Sequence, residues 1–173
     1  IWAKSAHGPG SGSAIREVPL AAEARVKAVT ADAEMVVLSA EGEGEWFLEL
    51  LEFLDARVVR GRALAFDAFA STAGSTWVAV PLKDMHGLDA LKCDLSSRFG
   101  ARVSVREELG TATCVGAGIN GDLTHLRRAL RTAISLGAQV MAVHTSPSQL
   151  SLLVGKTHLA DLSRHLHREF LGG

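Results

Sequence analysis

Cysteine is scarce in this sequence: Cys93 and Cys114 are the only two. They supply neither a disulfide framework nor a metal-ligand spacing, so both are expected to be buried thiols in a reducing cytoplasm. A dominant charge is missing as well. Eighteen Lys and Arg stand against nineteen Asp and Glu, for a formal net charge of −1. The two signs are interspersed, which leaves no global basic field for nucleic acid or anionic lipid. No apolar run approaches the roughly 18 residues of a membrane span. The Gly- and Ser-rich start, with a single early Lys4, lacks the apolar core of a signal peptide. What is present suits a folded protein: 47% hydrophobic and 21% charged residues argue against disorder, and 173 positions suffice for one domain or two small ones.

Catalytic signatures are equally thin. Gly116-Ala117-Gly118 has neither the third spaced glycine of a dinucleotide site nor the Lys-Ser/Thr of a P-loop. Ser146 lacks the context of a nucleophile elbow, and Cys93 falls on a helical face, so neither reads as a nucleophile. The histidines His125, His144, His158, His165 and His167 invite a metal reading. His165 and His167 are two apart on a helix and do not share a face, and no i, i+4 pair with a carboxylate accompanies them, so no metal is expected. Trp2, Trp46 and Trp77 read as packing.

Residues 1–23 contain Gly-Pro-Gly and Ser-Gly-Ser without periodicity and read as a linker. From Ala24 the pattern becomes regular. Ala24 to Thr30 alternates as a half-buried strand does, Ala31-Asp32-Ala33 turns the chain, and Glu34 to Ser39 is a buried strand. Glu41-Gly42-Glu43-Gly44 leads into a helix from Glu45 to Asp55, with Phe47, Leu50, Leu51 and Leu54 on one face. Strands Ala63 to Ala70 and Thr76 to Leu82 flank the hairpin loop Ser71 to Ser75. A helix from Met85 to Phe99 stops at Gly100, and Ala101 to Arg106 alternates again. The order strand, helix, strand, strand, helix, strand then repeats. It runs through Thr111 to Val115, a glycine-rich loop, a helix from Asp122 to Leu136 capped by Asp122, strands Ala138 to His144 and Gln149 to Val154, and a helix from Lys156 to Phe170. The second copy lacks its last strand, and the leading strand Ala24 to Thr30 has no place in the first. The simplest closure has the leading strand complete the second unit's sheet, interlocking the two.

This repeat resembles the tandem ACT domains of the aspartokinase C-terminal regulatory region. Cys114-Val115-Gly116-Ala117-Gly118 is similar to that family's V-x-V-V-G-A-G strand and loop, and Ala142 to Ser146 with Gln149 to Val154 is similar to its I-S-T-S-E-I-x-I-S-x-x-V hairpin. Leu166-His167-Arg168-Glu169-Phe170 matches its terminal L-H-x-x-F, and Val26 to Thr30 resembles its V-K-x-I-x strand. The first unit departs from the family: Glu41-Gly42-Glu43-Gly44 and Leu64 to Ala68 stand where it has Pro-Gly and a Gln-Asn-Val-Ser-like strand. The resemblance implies an α+β fold of two ferredoxin-like βαββαβ units, antiparallel sheets with helices on one face. The first unit would span 33–108, and the second would combine 24–31 with 110–173.

The resemblance also implies a non-catalytic, allosteric part of a cytoplasmic enzyme that phosphorylates L-aspartate with ATP, towards lysine, threonine and methionine. The kinase domain, with its ATP and Mg, would lie in cis before Ile1, and the fragment itself would need no cofactor. The effector would be lysine, threonine or methionine, and the units would pair in a homodimer. A free-standing ACT-type subunit, or a dimerisation module that has lost ligand binding, are the alternatives. Free N–H groups at a helix start favour a carboxylate. Gly118, Asn120 and Asp122 in the loop before the third helix are therefore candidate effector-binding residues, with Thr145 and Ser146 of the hairpin. Glu41 and Glu43 would draw a cationic effector, and they equally suit the dipole of the helix they precede.

Overall fold

The computed structural model describes residues 2–3, 13–14, 24–42, 44–59, 63–67 and 74–172. Within the expected linker, β1 (Trp2–Ala3) pairs antiparallel with β2 (Ser13–Ala14). The remaining elements are β3 (Ala28–Gly42), α1 (Gly44–Asp55), β4 (Ala63–Asp67), β5 (Gly74–Pro81), α2 (Leu88–Phe99), β6 (Val103–Val115), α3 (Thr124–Ser135), β7 (Val140–Ser146), β8 (Gln149–Gly155) and α4 (Lys156–Leu171). Strands β3 to β8 form one antiparallel sheet in the order β4-β5-β3-β6-β8-β7.

Two expected breaks are absent. Ala31-Asp32-Ala33 is no turn: β3 runs straight through it, and its pairing with β6 slips between Asp32 and Met35 and again between Met35 and Val37. The first slip puts three residues of β3 against two of β6, and the second puts two of β3 against three of β6, so each long strand carries one extra residue. A bulge reads like a turn in sequence because both interrupt alternation. Residues 107–110, between the two expected strands of β6, likewise belong to one ladder. The two expected sheets are thus one, joined by two long strands that each serve both halves.

Both helix pairs cover the same face. Met35 pairs with Leu109, and Thr111 lies two residues along β6 from Leu109, so these three share a face; Val36 and Ala112 point the other way. Val36 belongs to a core with Leu38, Val78 and Val80 under Leu50, Phe53 and Leu54 of α1 and Leu91, Leu95 and Phe99 of α2. Ala112 belongs to a second core with Cys114, Leu150, Leu152 and Val154 under α3 and under Leu159, Leu162 and Leu166 of α4. Burying a leucine fully contributes about 1.5–3 kcal/mol, and Leu162 and Leu166 have no exposed surface at all.

The helix ends follow local chemistry. A short 3-10 turn at Leu82–Asp84 and left-handed Gly87 precede α2, so it begins three residues later than the periodicity places it. Gly137 ends α3 in a left-handed conformation, with Gly137 N–H donating to Ile134 carbonyl and Ala138 N–H to Ala133 carbonyl. The end of α1 repeats this bond pattern with Val58 at φ +57 in the glycine position. Cys93 is exposed on α2, against the expectation of two buried thiols, because that helix buries only its Leu91, Leu95 and Phe99 stripe. Cys114 is buried, and burial pushes its thiol up to about 11.

Candidate functional site

The glycine-rich loop between β6 and α3 is stitched to the β7–β8 turn. Gly116 N–H donates to Ser148 carbonyl at 2.9 Å and Gly118 N–H to Pro147 carbonyl at 2.8 Å. These amides therefore do not stand free for a carboxylate. Gly118 takes φ +69, which only glycine adopts without strain, and Ile119 plugs the second core. Asn120 is exposed. Asp122 lies one residue before the helix-flanking Leu123, so it is not the N-cap itself, yet its Oδ1 accepts from Thr124 N–H at 2.7 Å. The Thr124 N–H, then the Thr124 hydroxyl, hold the Asp122 carboxyl below the usual carboxylate range. Thr145 and Ser146 are the last residues of β7 and not part of the turn, where Ser146 Oγ accepts weakly from Ser148 N–H at 3.4 Å.

The structure therefore brings Gly118 against the hairpin that carries Thr145 and Ser146, with Asn120 and Asp122 further along the same loop. Glu41 is elsewhere. It sits near the far end of β3, paired with Ser75, thirteen residues beyond the Ala28 that pairs with Val115. At about 3.3 Å per residue that is about 43 Å along the strand. Glu43 lies outside the described residues, as do residues 68–73 of the first hairpin.

Beside Asp122 a wide groove of about 490 Å³ runs past Ala24, Arg25, Thr124, His125, Arg128 and Phe170. The His125 ring lies 5.8 Å from Phe170, tilted by 31°, and its buried Nδ1 has no hydrogen-bond partner among the described residues. Arg128 stands over the same phenyl ring at 4.8 Å and is held by Glu169 through its carboxylate at 2.7 Å and its carbonyl at 2.8 Å. The groove thus combines an acid, an aromatic face and a fixed cation, which suits a small zwitterion.

A second concavity lies on the helix-free face, where no candidate residue was expected. On a flat sheet β5 and β7, four spacings apart, would be about 19 Å from each other. Instead Trp77 and Ala79 of β5 and Ala142 and His144 of β7 line one pocket, so the sheet curls over its own open face. Met35, Val37, Ala79, Leu109 and Leu153 are each at most 5% exposed there without a helix above them. Alongside lies a cleft of about 410 Å³ lined by polar groups including Thr30, Asp32, Thr111, Thr113, His144 and Ser151. In sequence these polar residues alternate with apolar ones, the pattern of a solvated face; the curl that encloses them arises from pairing between distant strands.

Similarity to known proteins appears at the level of structure. No protein-family model matches the sequence, and no characterised protein matches it in sequence. Among solved structures, the ligand-free regulatory subunit of aspartate kinase from Thermus thermophilus superposes with a TM-score of 0.73 at 15% identity, covering 84% of this chain and 99% of that one. The chain has the fold of an aspartate kinase regulatory subunit. The Thermus flavus regulatory subunit matches over the same shares with a TM-score of 0.69 at 16% identity. Escherichia coli aspartokinase III, in complex with lysine and aspartate, matches with a TM-score of 0.63 at 14% identity over 87% of this chain and 34% of that one. At these identities the likeness is one of fold.

Among the described residues no group of three or more His, Cys, Asp or Glu side chains is placed to hold a metal ion, and no helix is long and apolar enough to cross a membrane. His158 and His165 are engaged locally, His158 Nδ1 with the Thr157 hydroxyl at 3.2 Å and His165 Nδ1 with the Asp161 carbonyl at 2.8 Å.

Proposed function

We propose that this chain is the amino-acid-sensing regulatory part of an aspartokinase-like enzyme. That enzyme would phosphorylate L-aspartate with ATP, using ATP and Mg in a kinase domain in cis, in a cytoplasmic route to lysine, threonine and methionine. The observation that carries the reading is the end-to-end likeness to aspartate kinase regulatory subunits, 99% of the Thermus thermophilus chain. Under this reading the first unit spans 33–108, and the second combines 24–31 with 110–173. The units pair across a homodimer, which exposed sheet edges favour.

The effector, lysine, threonine or methionine, would sit in the groove beside Asp122, its ammonium on Asp122 or Asn120 and its carboxylate towards Arg128. It would act by binding one arrangement of the enzyme more tightly than another. Calorimetric titration with the three amino acids tests this: binding of one, weakened in Asp122→Asn, is expected, and silence with all three would sink it.

One observation favours a second reading, a pairing module that has lost its ligand. The N–H groups of Gly116 and Gly118 are already taken by the Ser148 and Pro147 carbonyls. A chain that binds none of the three amino acids yet dimerises in sedimentation would fit that reading. The likeness to separate regulatory subunits equally suits a free-standing subunit, which the gene upstream of Ile1 decides.

A further inference from the structure

The cleft on the helix-free face is built in rows. His144 pairs with Ser151, Ser151 with Thr113, and Thr113 with Thr30, so four polar residues line up across β7, β8, β6 and β3. Within that row the Thr113 and Ser151 hydroxyls bond to each other at 2.8 Å, which uses one of their two protons and leaves the other to donate. The next row places Asp32 beside Thr111, and the one after it is apolar, Met35 beside Leu109. The cleft therefore grades from hydrogen-bonding groups, past a carboxylate, to a methylene-friendly wall of Met35 and Ala79.

Among the described residues of the lining, Asp32 is the only Asp, Glu, Lys or Arg. Its Oδ1 accepts from Glu34 N–H at 3.2 Å, and its Oδ2 has no hydrogen-bond partner among the described residues. Its backbone is held at the bulge. A side chain on Gly110 would come within 2.9 Å of the Asp32 carbonyl oxygen, so β3 and β6 approach there as closely as glycine allows. A half-buried carboxylate with a free oxygen and no cation in the same lining attracts a positive charge. At about 410 Å³ the cleft is within the usual range of small-molecule sites.

We propose that this cleft is a ligand site separate from the loop groove, for a short aliphatic ammonium compound that carries a second hydrogen-bonding group. The ammonium sits on Asp32, the methylenes lie against Met35 and Ala79, and the second polar group meets the row of His144, Ser151, Thr113 and Thr30. Because Ala79 and His144 stand on strands brought together only by the curl, the bound ligand holds the sheet in its curled form.

The test uses the full chain with three matched probes: 4-aminobutan-1-ol, the neutral 1,4-butanediol and the anionic 4-hydroxybutyrate. Saturable binding of the amino alcohol by calorimetry is expected, with amide NMR shifts at Asp32, Thr111, His144 and Ser151. The diol and the anion should bind about tenfold or more weakly, the equivalent of one charge-assisted hydrogen bond. Asp32→Asn should weaken the amino alcohol by about tenfold to a hundredfold, while Asp122→Asn leaves it unchanged, so this site and the loop groove fail separately. If Asp32→Asn loses the native fold, Ser151→Ala decides, with a severalfold loss expected. No saturable binding, equal binding of the diol, indifference to these substitutions, shifts confined to the Gly116–Asp122 loop, or a second copy of the chain covering the cleft would each overturn the proposal.

Discussion

Replacing Gly116 by alanine should be among the most damaging small changes to the second half of the molecule. A Cβ at this position would lie 2.0 Å from the Arg25 carbonyl oxygen, 2.9 Å from the Arg25 carbonyl carbon and 2.9 Å from Ile119 Cγ2. The first two atoms are backbone and have no rotamer into which to retreat. The leading segment must therefore move by about 1 Å, to reach an ordinary contact of about 3 Å or more. Two hydrogen bonds share that junction, Lys27 N–H to Val115 carbonyl at 2.7 Å and Gly116 N–H to Ser148 carbonyl at 2.9 Å. At about 1 kcal/mol each, their loss costs about 2 kcal/mol, and displacing buried Ile119 brings the total to about 2–4 kcal/mol. For a chain of this length that lowers Tm by about 5–15 °C. Urea unfolding should show the midpoint falling with the slope unchanged. Gly118→Ala is the control, because its added Cβ meets nothing nearer than Ala24 Cβ at 3.9 Å. Only the left-handed backbone conformation then counts against it, at about 1–2 kcal/mol. A Gly116→Ala protein within about 0.5 kcal/mol of the parent, or one no worse than Gly118→Ala, would refute the close passage of the leading strand.

Three further outcomes follow from particular residues. Val58→Gly should stabilise the chain by about 1 kcal/mol, because an exposed β-branched residue gives up its left-handed strain and loses little packing; an unchanged or lower urea midpoint would contradict that. Cys93 should alkylate with iodoacetamide at pH 8 while Cys114, buried with its thiol pushed up to about 11, stays protected until the chain unfolds, as peptide mass spectrometry would show. Asp122 titrates below its unfolded value when folded, so its contribution is present above the ordinary carboxylate range and is lost as pH falls through the lowered folded value. The stability gap between the parent and Asp122→Ala should therefore close in acid, and a gap that widens below the carboxylate range would reverse the sign of the argument.

The elements were legible where periodicity is local. The helices over 45–55 and 156–170 were readable because Leu50 and Leu54, or Leu159, Leu162 and Leu166, recur at helical spacing. What could not be read lies in pairing between distant segments. Ala31-Asp32-Ala33 looks like a turn because alternation breaks there, and only its partner β6 makes it a bulge in one strand. Of the candidate site, the contact between the Gly116–Gly118 loop and the β7–β8 turn follows from β6 ending beside the start of β8, where Val115 pairs with Gln149. The use of the loop amides by that same turn is not legible in the sequence, because nothing local separates an amide that awaits a ligand from one already bonded.

The same argument explains why the sequence does not join Asp32, Thr113, His144 and Ser151 into one site, and what their placement does. Polar residues at alternate strand positions face water on an open antiparallel sheet. Here the two long strands belong to both halves, so neither half can shift without dragging the ladder of the other. Each bulge also strengthens the local right-handed twist, and both bulges fall where one half passes into the other. The twist accumulated there folds the open face inward, buries Met35, Val37, Ala79, Leu109 and Leu153 without a helix, and encloses the polar row beside them. A sensor needs two arrangements close in energy and a ligand that prefers one of them. Under the proposed reading, a ligand in the cleft touches both Ala79 of β5 and His144 of β7, so it would favour the curled sheet over any flatter arrangement in which those strands part.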